Sequence, residues 1–503
     1  MYTSVLPTRV NKSLTEVHCS REMKLLKTIR EVGYNLAFEA RSYFRDLSKF
    51  DRTSWLLVII TIVMGFVSFS IELDLMPFFK HRLDLGNQQA GELYGIRGFT
   101  SVMVGIPCGL LIDKLGLKIS MVLGTVSYAL FSVILALSDI NMVDELVVAF
   151  GLTSSGILQG NPIQLIMGRI VDDVLRLMGF NLLYWSDNVG DMVASFVNPL
   201  MVSSSGLGQY EMMFLVSGLL SFVSAVIITI FYREPPVVSK VQDISNPGEV
   251  ALSYVTKELS SDDDEDAVEQ PVTSKIKPII AFLLSRALWR CLALSFVFIP
   301  AKMMFRDMTA LVPIYMQNIY GLDVNYSFAI GINPTILVIF LIPYLGFIRR
   351  KPNIPSMLFV GTLLVALCCL PVIFIRGSSD ETPVWIMIAI LTVAEMIFSP
   401  TLNMFAVSLL PKNHEALGMV LTGLPHVVGT MISGTMSGYL LDTFCPEPIA
   451  LNYDHWAFYS CENIFVVAAL RSLITPMMWL LLQSFIMSKE EGIICSARSS
   501  EIL

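Results

Sequence analysis

Residues 109–118 read GLLIDKLGLK, a short charged turn between two apolar runs that cover residues 89–112 and 118–138. Each run is long enough to cross a bilayer, because a transmembrane helix needs about 20 predominantly apolar residues. The turn carries Asp113, Lys114 and Lys118 where the two runs meet. The stretch therefore predicts two membrane-spanning helices joined by a tight loop at the membrane surface.

The composition of the whole chain agrees with a membrane protein. Of its 503 residues, 54% are hydrophobic and only 15% are charged, and the mean hydropathy is +0.65. A soluble globular protein carries about 25% charged residues. Lipid can surround so apolar a chain, provided that every spanning segment is a helix or part of a closed barrel. Much of the net charge of −8 comes from the acidic run at residues 262–266, so it gives no indication of a nucleic-acid partner.

Apolar runs of spanning length recur along the chain, six before a long polar segment and six after it. They cover residues 54–79, 89–112, 118–138, 144–168, 178–202, 210–232, 288–318, 325–348, 356–376, 384–410, 416–441 and 463–487. We therefore predict an all-α membrane protein with twelve transmembrane helices in two six-helix bundles. The predicted parts are a basic N-terminal tail (1–53), a first bundle (54–232), an acidic linker (233–287), a second bundle (288–487) and a C-terminal tail (488–503).

Lys and Arg set the predicted orientation, since cytoplasmic loops carry an excess of both residues. The N-terminal tail holds ten of them, and the loops after runs 2, 4, 8 and 10 hold eight more. The opposite loops contain few, mainly Lys80, Arg82 and Arg376. Both termini and the linker are therefore expected in the cytoplasm. The acidic, Ser-rich linker has the composition of a disordered segment. Whether the membrane is the plasma membrane or that of an organelle stays open.

The turn at residues 109–118 resembles the loop signature of the major facilitator superfamily. The matching positions are Gly109, Asp113, Lys114, Gly116 and Lys118. The resemblance implies the major facilitator fold, in which two six-helix bundles rock around a central site. It also implies that these five residues latch one of the two conformations.

A second, looser resemblance is to the proton-coupled oligopeptide transporters within that superfamily. The residues that carry it are Asn333-Pro334 in the eighth run, Glu395 in the tenth and Gly179-Phe180-Asn181-Leu182-Leu183-Tyr184 in the fifth. Two features depart from that branch. The first run offers only Glu72 and Asp74 where the branch has two glutamates and an arginine, and Gln159 stands where the branch has a lysine. The branch is therefore expected to be a structural relative, with its substrate and its proton mechanism left open.

Charged residues inside the apolar runs indicate where a polar site lies, because each costs about 2.5–3.5 kcal/mol at mid-bilayer on insertion scales. Asp187 and Asp191 are four residues apart, so they share one face of a helix. We predict that they, together with Glu72 and Asp74, couple transport to an ion, and Arg97 is one potential partner of the aspartate pair. The alternative for Glu72 and Asp74 is simple solvation near the outer membrane surface.

In the second half, Lys302 and Arg306 stack on one helical face, where like charges repel unless an anion lies between them. Glu395 and an anionic group of the substrate are the two potential partners. The predicted substrate-binding residues of both halves are Arg97, Gln159, Lys302, Arg306, Asn333 and Glu395. Arg471 is expected to form a structural ion pair. His426 either titrates near neutral pH or is a satisfied packing residue.

These features favour a secondary active transporter that works by alternating access. The expected solute is small and polar or anionic, of the amino acid, peptide or organic anion class, and symport with protons is a hypothesis. The alternative is a sensor or scaffold that keeps the fold without transporting. The expected partners are the solute, membrane lipid and protons. We predict no enzymatic activity, catalytic residue, cofactor or metal site, since the sequence shows no phosphate-binding glycine loop and no nucleophile beside a base. Cys445 and Cys461 are either disulfide-bonded or free thiols.

Overall fold

The computed structural model describes residues 45–171, 176–204, 210–234, 285–322, 324–348, 353–375, 380–409, 415–445 and 461–487. Nearly all of these residues are helical, and none of them forms a strand. Most of the predicted basic tail, nearly all of the acidic linker, and the C-terminal tail lie outside the described residues.

Six helices form the first half. They are α1 (Arg52–His81), α2 (Asn87–Leu115), α3 (Leu117–Leu137), α4, α5 (Arg176–Ser204) and α6 (Glu211–Phe231), where α4 comprises Asn141–Leu146, a π-helical turn Val147–Leu152 and Thr153–Ile170. Each helix contains one of the predicted apolar runs.

Six more helices form the second half. They are α7, α8 (Tyr326–Ile348), α9, α10 (Thr382–Leu409), α11 (Glu415–Phe444) and α12 (Asn463–Ile486); α7 comprises Arg286–Ala310 and Val312–Tyr320, and α9 comprises Ile354–Leu367 and Leu370–Phe374. The breaks in α7 and α9 lie next to Pro313 and Pro371, as expected because proline cannot donate the helical backbone hydrogen bond. The prediction of an all-helical fold is confirmed, and the helix count agrees with the twelve apolar runs.

Eight of these helices are long and apolar enough to cross a membrane by length and composition alone: α1, α3, α6, α7, α8, α9, α10 and α12. These eight are counted within the described residues. The main contacts between the two halves come from two helix pairs, in which α2 packs against α11 and α5 against α8.

The two halves touch closely at one end of the molecule. We call the end at which α1 begins the near side and the opposite end the far side. Toward the far side, a Cβ added at Gly91 of α2 would lie 2.4 Å from the backbone oxygen of Gly434 in α11. Asn87 Nδ2 and the backbone nitrogen of Gln88 donate to the Asp442 carboxylate over 2.9 and 3.1 Å, again joining α2 to α11. The far side is therefore closed.

Toward the near side the same two helices separate. A Cβ added at Gly105 or Gly109 of α2, or at Gly423 of α11, would meet no heavy atom of the described residues within 4 Å. The structure therefore represents a conformation that is closed on the far side and parted between α2 and α11 on the near side.

A disulfide joins Cys445, at the far end of α11, to Cys461, just before α12. The backbone oxygen of Cys445 also accepts a 3.1 Å hydrogen bond from Asn318 Nδ2 at the far end of α7. The question that the sequence left open for these two cysteines is thus resolved as a bonded pair, which ties α11 to its neighbours within the second half.

Candidate functional site

The central charge cluster is built around the Glu72 carboxylate of α1. Its Oε2 accepts from Arg97 Nη1 of α2 over 2.6 Å, and its Oε1 accepts from Arg306 Nη1 of α7 over 3.0 Å. Tyr94 Oη of α2 also donates to Oε1. One carboxylate therefore binds a cation from each half of the molecule.

These side chains lie near the middle of their helices and yet remain partly exposed. The exposed fraction is 12% for Glu72, 19% for Arg97 and 20% for Arg306. Because the three contact one another across the interface between the halves, they face the inside of the molecule rather than lipid. The alternative that Glu72 is merely solvated at the outer membrane surface is therefore wrong.

The cluster also corrects two expected pairings. Arg306 was expected to meet Glu395 or a substrate anion, and its carboxylate partner in this structure is Glu72 instead. Arg97 was considered as a partner of the aspartate pair on α5, and it too binds Glu72. The sequence could not reveal these pairings, because it does not show which helices face each other or at what depth.

His426 of α11 is the second partner of Arg306. Its imidazole Nε2 contacts Arg306 Nη2, and the His426 ring is half-buried. His426 therefore contacts the central charge cluster, and the choice between a titrating and a packing residue stays open. Tyr94 Oη lies 3.0 Å from Thr309 Oγ1 of α7, which adds a further contact between the halves beside the cluster.

The Glu395 carboxylate of α10 is held by neutral donors. Tyr184 Oη of α5 donates to its Oε1 over 2.9 Å, and Asn333 Nδ2 of α8 donates to its Oε2 over 2.9 Å. Asn333 Nδ2 also donates to Thr392 Oγ1 over 3.1 Å. The structure thus brings together two predicted site residues, Asn333 and Glu395, and adds Tyr184 from the other half.

Lys302 lies one helical turn before Arg306 on α7. Its Nζ donates to Ser399 Oγ over 2.9 Å and sits 4.9 Å from the ring centre of Phe398 and 5.4 Å from that of Phe305. Aromatic faces attract a cation but do not neutralise it. No carboxylate among the described residues forms an ion pair with Lys302, which leaves its charge available.

Asp187 and Asp191 lie on α5 where this helix crosses α1. Their carboxyl groups form no ion pair with a described residue, and Asp187 is exposed although it lies well inside its helix. Asp191 is within electrostatic range of Glu395, Arg306 and Glu72. A Cβ added at Gly65 of α1 would lie 2.9 Å from Asp187 Oδ1, so this glycine leaves room for the carboxylate.

Asp74 is separate from the central cluster and lies closer to the far side. It is 1% exposed, accepts from Asn198 Nδ2 of α5 over 2.7 Å, and accepts from Tyr326 Oη at the start of α8. No cation among the described residues pairs with it. This buried carboxyl therefore joins the two halves through neutral donors alone, and solvation near the membrane surface does not describe it.

Gln159 of α4 is buried at 6% exposure, and its side-chain oxygen has no hydrogen-bond partner among the described residues. It forms no hydrogen bond to the central cluster, so the structure does not assemble it with the other predicted binding residues. Its role in binding stays a prediction.

The turn that carries the predicted latch lies on the near side. Gly116 ends α2 with a φ of +82°, a conformation that side chains other than glycine rarely adopt. Glu234 Oε1 accepts from the backbone nitrogen of Leu117 over 3.0 Å, and Lys118 Nζ donates to the Thr229 backbone oxygen over 3.0 Å. The side chain of Asp113 lies outside the described residues. A Cβ added at Gly109 would meet no heavy atom of the described residues within 4 Å.

A second ion pair lies wholly within the second half. Arg471 of α12 donates to Asp307 of α7, which also accepts from Ser433 of α11. Their side chains are 10% and 3% exposed. The structural ion pair expected for Arg471 is therefore present, and it anchors α7 on a face about 100° round the helix from Arg306.

Comparison with known proteins identifies the family. The model of the Major Facilitator Superfamily matches residues 55–434, which is most of the chain. The chain belongs to the Major Facilitator Superfamily, and is thus an integral, multi-pass protein of a class of membrane transporters. No curated protein matches the chain in sequence.

Solved structures of peptide transporters share the fold. An auto-inhibited transporter of the POT peptide-transporter family is 16% identical with a TM-score of 0.66, and the match covers 87% of this chain and 98% of that one. A POT family transporter in complex with 5-aminolevulinic acid is 17% identical with a TM-score of 0.63, covering 87% and 97%. At such low identity these matches establish the fold alone. The expected resemblance to this branch is thereby confirmed at the level of structure.

Sequence reasoning missed three residues that the structure places in the site: His426, Tyr94 and Tyr184. A lone histidine and two tyrosines inside apolar helices are ordinary packing residues in most proteins. All three lie on α2, α5 and α11, helices that pack against the opposite half, a feature that the sequence alone does not show.

Proposed function

We propose that the chain is a secondary transporter that moves a small zwitterionic solute, such as an amino acid or a short peptide, by alternating access between its two halves. The observation that carries this proposal is the set of unpaired charges of both signs at the centre. A solute that brings one charge of each sign can pair with both.

The charges divide into those that the protein itself pairs and those that it leaves available. Glu72 binds both Arg97 and Arg306. Lys302 remains without a carboxylate among the described residues and can bind an anionic group. The carboxylates of Asp187, Asp191 and Glu395 can bind a cationic group, and among the described residues Glu395 alone of the three accepts side-chain hydrogen bonds.

This distribution favours a zwitterion over a purely anionic solute. Four carboxylates (Glu72, Asp187, Asp191 and Glu395) accompany three cations (Arg97, Lys302 and Arg306). Because Arg306 is engaged by Glu72, the apparent cation excess on α7 is smaller than the sequence indicates. One solved relative binds 5-aminolevulinic acid, which carries an amino and a carboxyl group, and this agrees with the proposed solute class.

Alternating access requires that contacts on the far side break while contacts on the near side form. The hydrogen bonds of Asp442 to α2 and of Asp74 to α8 would open, and the parted near-side segments of α2 and α11 would approach. The turn at residues 109–118 lies on that near side, where it would act as the latch of the opposite conformation. With both termini in the cytoplasm, as the Lys and Arg distribution indicates, the described state faces inward.

Coupling to protons fits the excess of carboxylates. Asp187 and Asp191 lie four residues apart, where two negative charges repel each other and binding of one proton is favoured. We assign ion coupling to this pair and to Asp74, with Glu72 as the carboxylate that holds the halves together.

The test is uptake into proteoliposomes of the purified protein, with a panel of amino acids, dipeptides and organic anions under an inward proton gradient. We expect uptake of zwitterions that is abolished by Arg306→Gln without loss of folded protein. If well-folded protein transports no member of the panel, a sensor or scaffold with a transporter fold becomes the better reading.

A further inference from the structure

The contact between His426 and Arg306 restricts the protonation state of the imidazole. A guanidinium group is always charged and offers only donors. The imidazole nitrogen that faces it must therefore be an acceptor, which means that this nitrogen carries no proton. In the described conformation Arg306 thus bridges a neutral histidine on its own half and the Glu72 carboxylate on the other.

Three charged groups, from two helices, surround His426. Arg306 and Lys302 of α7 face the ring, and Glu72 of α1 lies within electrostatic range of it. The charges on the other helices packed against α11 are already engaged. Arg97 of α2 binds Glu72, Glu395 of α10 binds Tyr184 and Asn333, and Arg471 of α12 binds Asp307.

A proton on His426 changes this arrangement in two ways. The ring nitrogen becomes a donor and a cation, so it repels Arg306 and competes with it for Glu72. The net charge of Glu72, Arg97, Arg306 and His426 taken together also rises from +1 to +2. The added charge lies on the second half, opposite Arg97 of the first half. Like charges that face each other across an interface repel, so they favour separation of the two halves.

We infer that His426 is a proton-binding site whose protonation weakens the Arg306–Glu72 bridge and favours separation of the two halves on the far side. The inference rests on the proposed function, because it assigns a proton-binding step to the alternating-access cycle. It also identifies a ligand preference. The cluster attracts an anionic group, such as the carboxylate of a solute, more strongly when His426 is protonated than when His426 is neutral.

The sign of the pH dependence follows from the contact. Neutral His426 is the form that accepts from Arg306, so higher pH stabilises the closed far side. As the pH falls, protonation removes the acceptor, and the population that is open on the far side should grow.

The test measures far-side distances and needs no solute. Spin labels are placed at Met142→Cys and Leu322→Cys, which are 70% and 71% exposed and lie at far-side ends of opposite halves. The free cysteines among the described residues are buried, and Cys19 and Cys495 are replaced by serine. Distance distributions are then recorded by double electron–electron resonance in nanodiscs at pH 5.5 and pH 8.

We expect a longer-distance population that grows at pH 5.5 in the parent protein and is lost in His426→Asn. His81→Asn, the matched control at the other described histidine, should keep the response of the parent. His426→Arg, which places a permanent cation at this position, should show the longer distance already at pH 8.

A pH response that is unchanged in His426→Asn would overturn the inference, as would a parent protein without any response. If His426→Asn does not fold, His426→Arg decides, and a closed far side at pH 8 in that variant would likewise overturn it. Because no solute is present, failure of this test leaves the proposed transport activity unaffected, and failure to transport leaves this test valid.

Discussion

Arg306 of α7 and Glu72 of α1 are 234 positions apart in the chain, and their side chains form a 3.0 Å ion pair. The pair joins the two halves of the molecule at the depth where Arg97 and His426 also converge. In a low-dielectric interior, removing one partner of such a pair is costly, because the other charge stays buried and unpaired. The cost is smaller when another charge of the same sign replaces the lost partner. It therefore provides a contact that a proton or a charged solute can compete with.

Lys302 is predicted to bind the anionic group of the solute. Lys302→Gln should weaken the apparent affinity for a zwitterionic dipeptide at least about tenfold, the equivalent of about 1.4 kcal/mol. The same variant should leave the weaker binding of its carboxyl-amidated analogue unchanged, because that analogue has no anion to lose. Competition of both compounds in proteoliposome uptake measures the difference.

Lys49→Gln is the control for Lys302→Gln, since Lys49 pairs with Asp46 on the near side and is 57% exposed. An equal loss of affinity for the free acid and the amide would rule out a direct contact between Lys302 and the carboxylate.

Asp74 is predicted to couple proton movement to opening of the far side. Asp74→Asn keeps the size of the side chain, and its amide can accept from Asn198 Nδ2 and donate to Tyr326 Oη, but it cannot gain or lose a proton. We expect the variant to exchange solute across the membrane at equilibrium and to lose accumulation driven by a proton gradient. Counterflow and gradient-driven uptake, measured side by side, separate these two activities.

Glu92→Gln serves as the control for Asp74→Asn, because Glu92 is exposed and bonded only to Gln88 among the described residues. Proton-driven accumulation that persists in Asp74→Asn would remove Asp74 from the coupling mechanism.

The close packing of α2 on α11 is predicted to define the closed far side. Gly91→Leu would place atoms where the Gly434 backbone now lies, only 2.4 Å from an added Cβ. We expect this variant to remain open on the far side and to transport poorly. The spin labels at positions 142 and 322 should report a longer distance at every pH.

Gly105→Leu provides the comparison, because Gly105 lies on the same helix and faces open space in this conformation. Its far-side distance should match that of the parent protein. If both leucine variants give the parent distance, packing at Gly91 does not control closure.

The pair of Asp307 and Arg471 is predicted to stabilise the second half without taking part in transport chemistry. Arg471→Met leaves Asp307 buried without its cation, a loss that typically costs about 3–5 kcal/mol. The melting temperature of the purified variant should fall, and adding Asp307→Asn should restore part of it. A melting temperature equal to that of the parent would show that the ion pair contributes nothing to stability.

Most of the fold follows from the sequence, because an apolar run of about 20 residues that crosses lipid forms a helix. Every predicted run lies on a helix, and the long polar gap separates helices α6 and α7. The breaks in α7 and α9 were not predicted, since their exact position depends on how neighbouring helices accommodate the prolines.

The site was predictable in outline. Intramembrane charge alone pointed to Glu72, Arg97, Arg306 and Glu395, which the structure places at contacts between the halves. Pairing was not predictable, because one sequence carries no information on which faces of distant helices meet. His426 shows the limit most clearly: its importance comes entirely from Arg306, which lies 120 positions away in the chain.

The bridge between Glu72 and Arg306 is tested most directly by exchanging its charges. Glu72→Gln and Arg306→Gln should each reduce zwitterion uptake in proteoliposomes below about one-tenth of the parent rate, because each removes the ion pair that joins the two halves. The double exchange Glu72→Arg with Arg306→Glu should restore a substantial part of it, since the introduced carboxylate would again face two guanidinium groups. Normal uptake by either single variant would contradict a bridge that carries the transport cycle, and so would a folded exchange variant that is no better than the single ones.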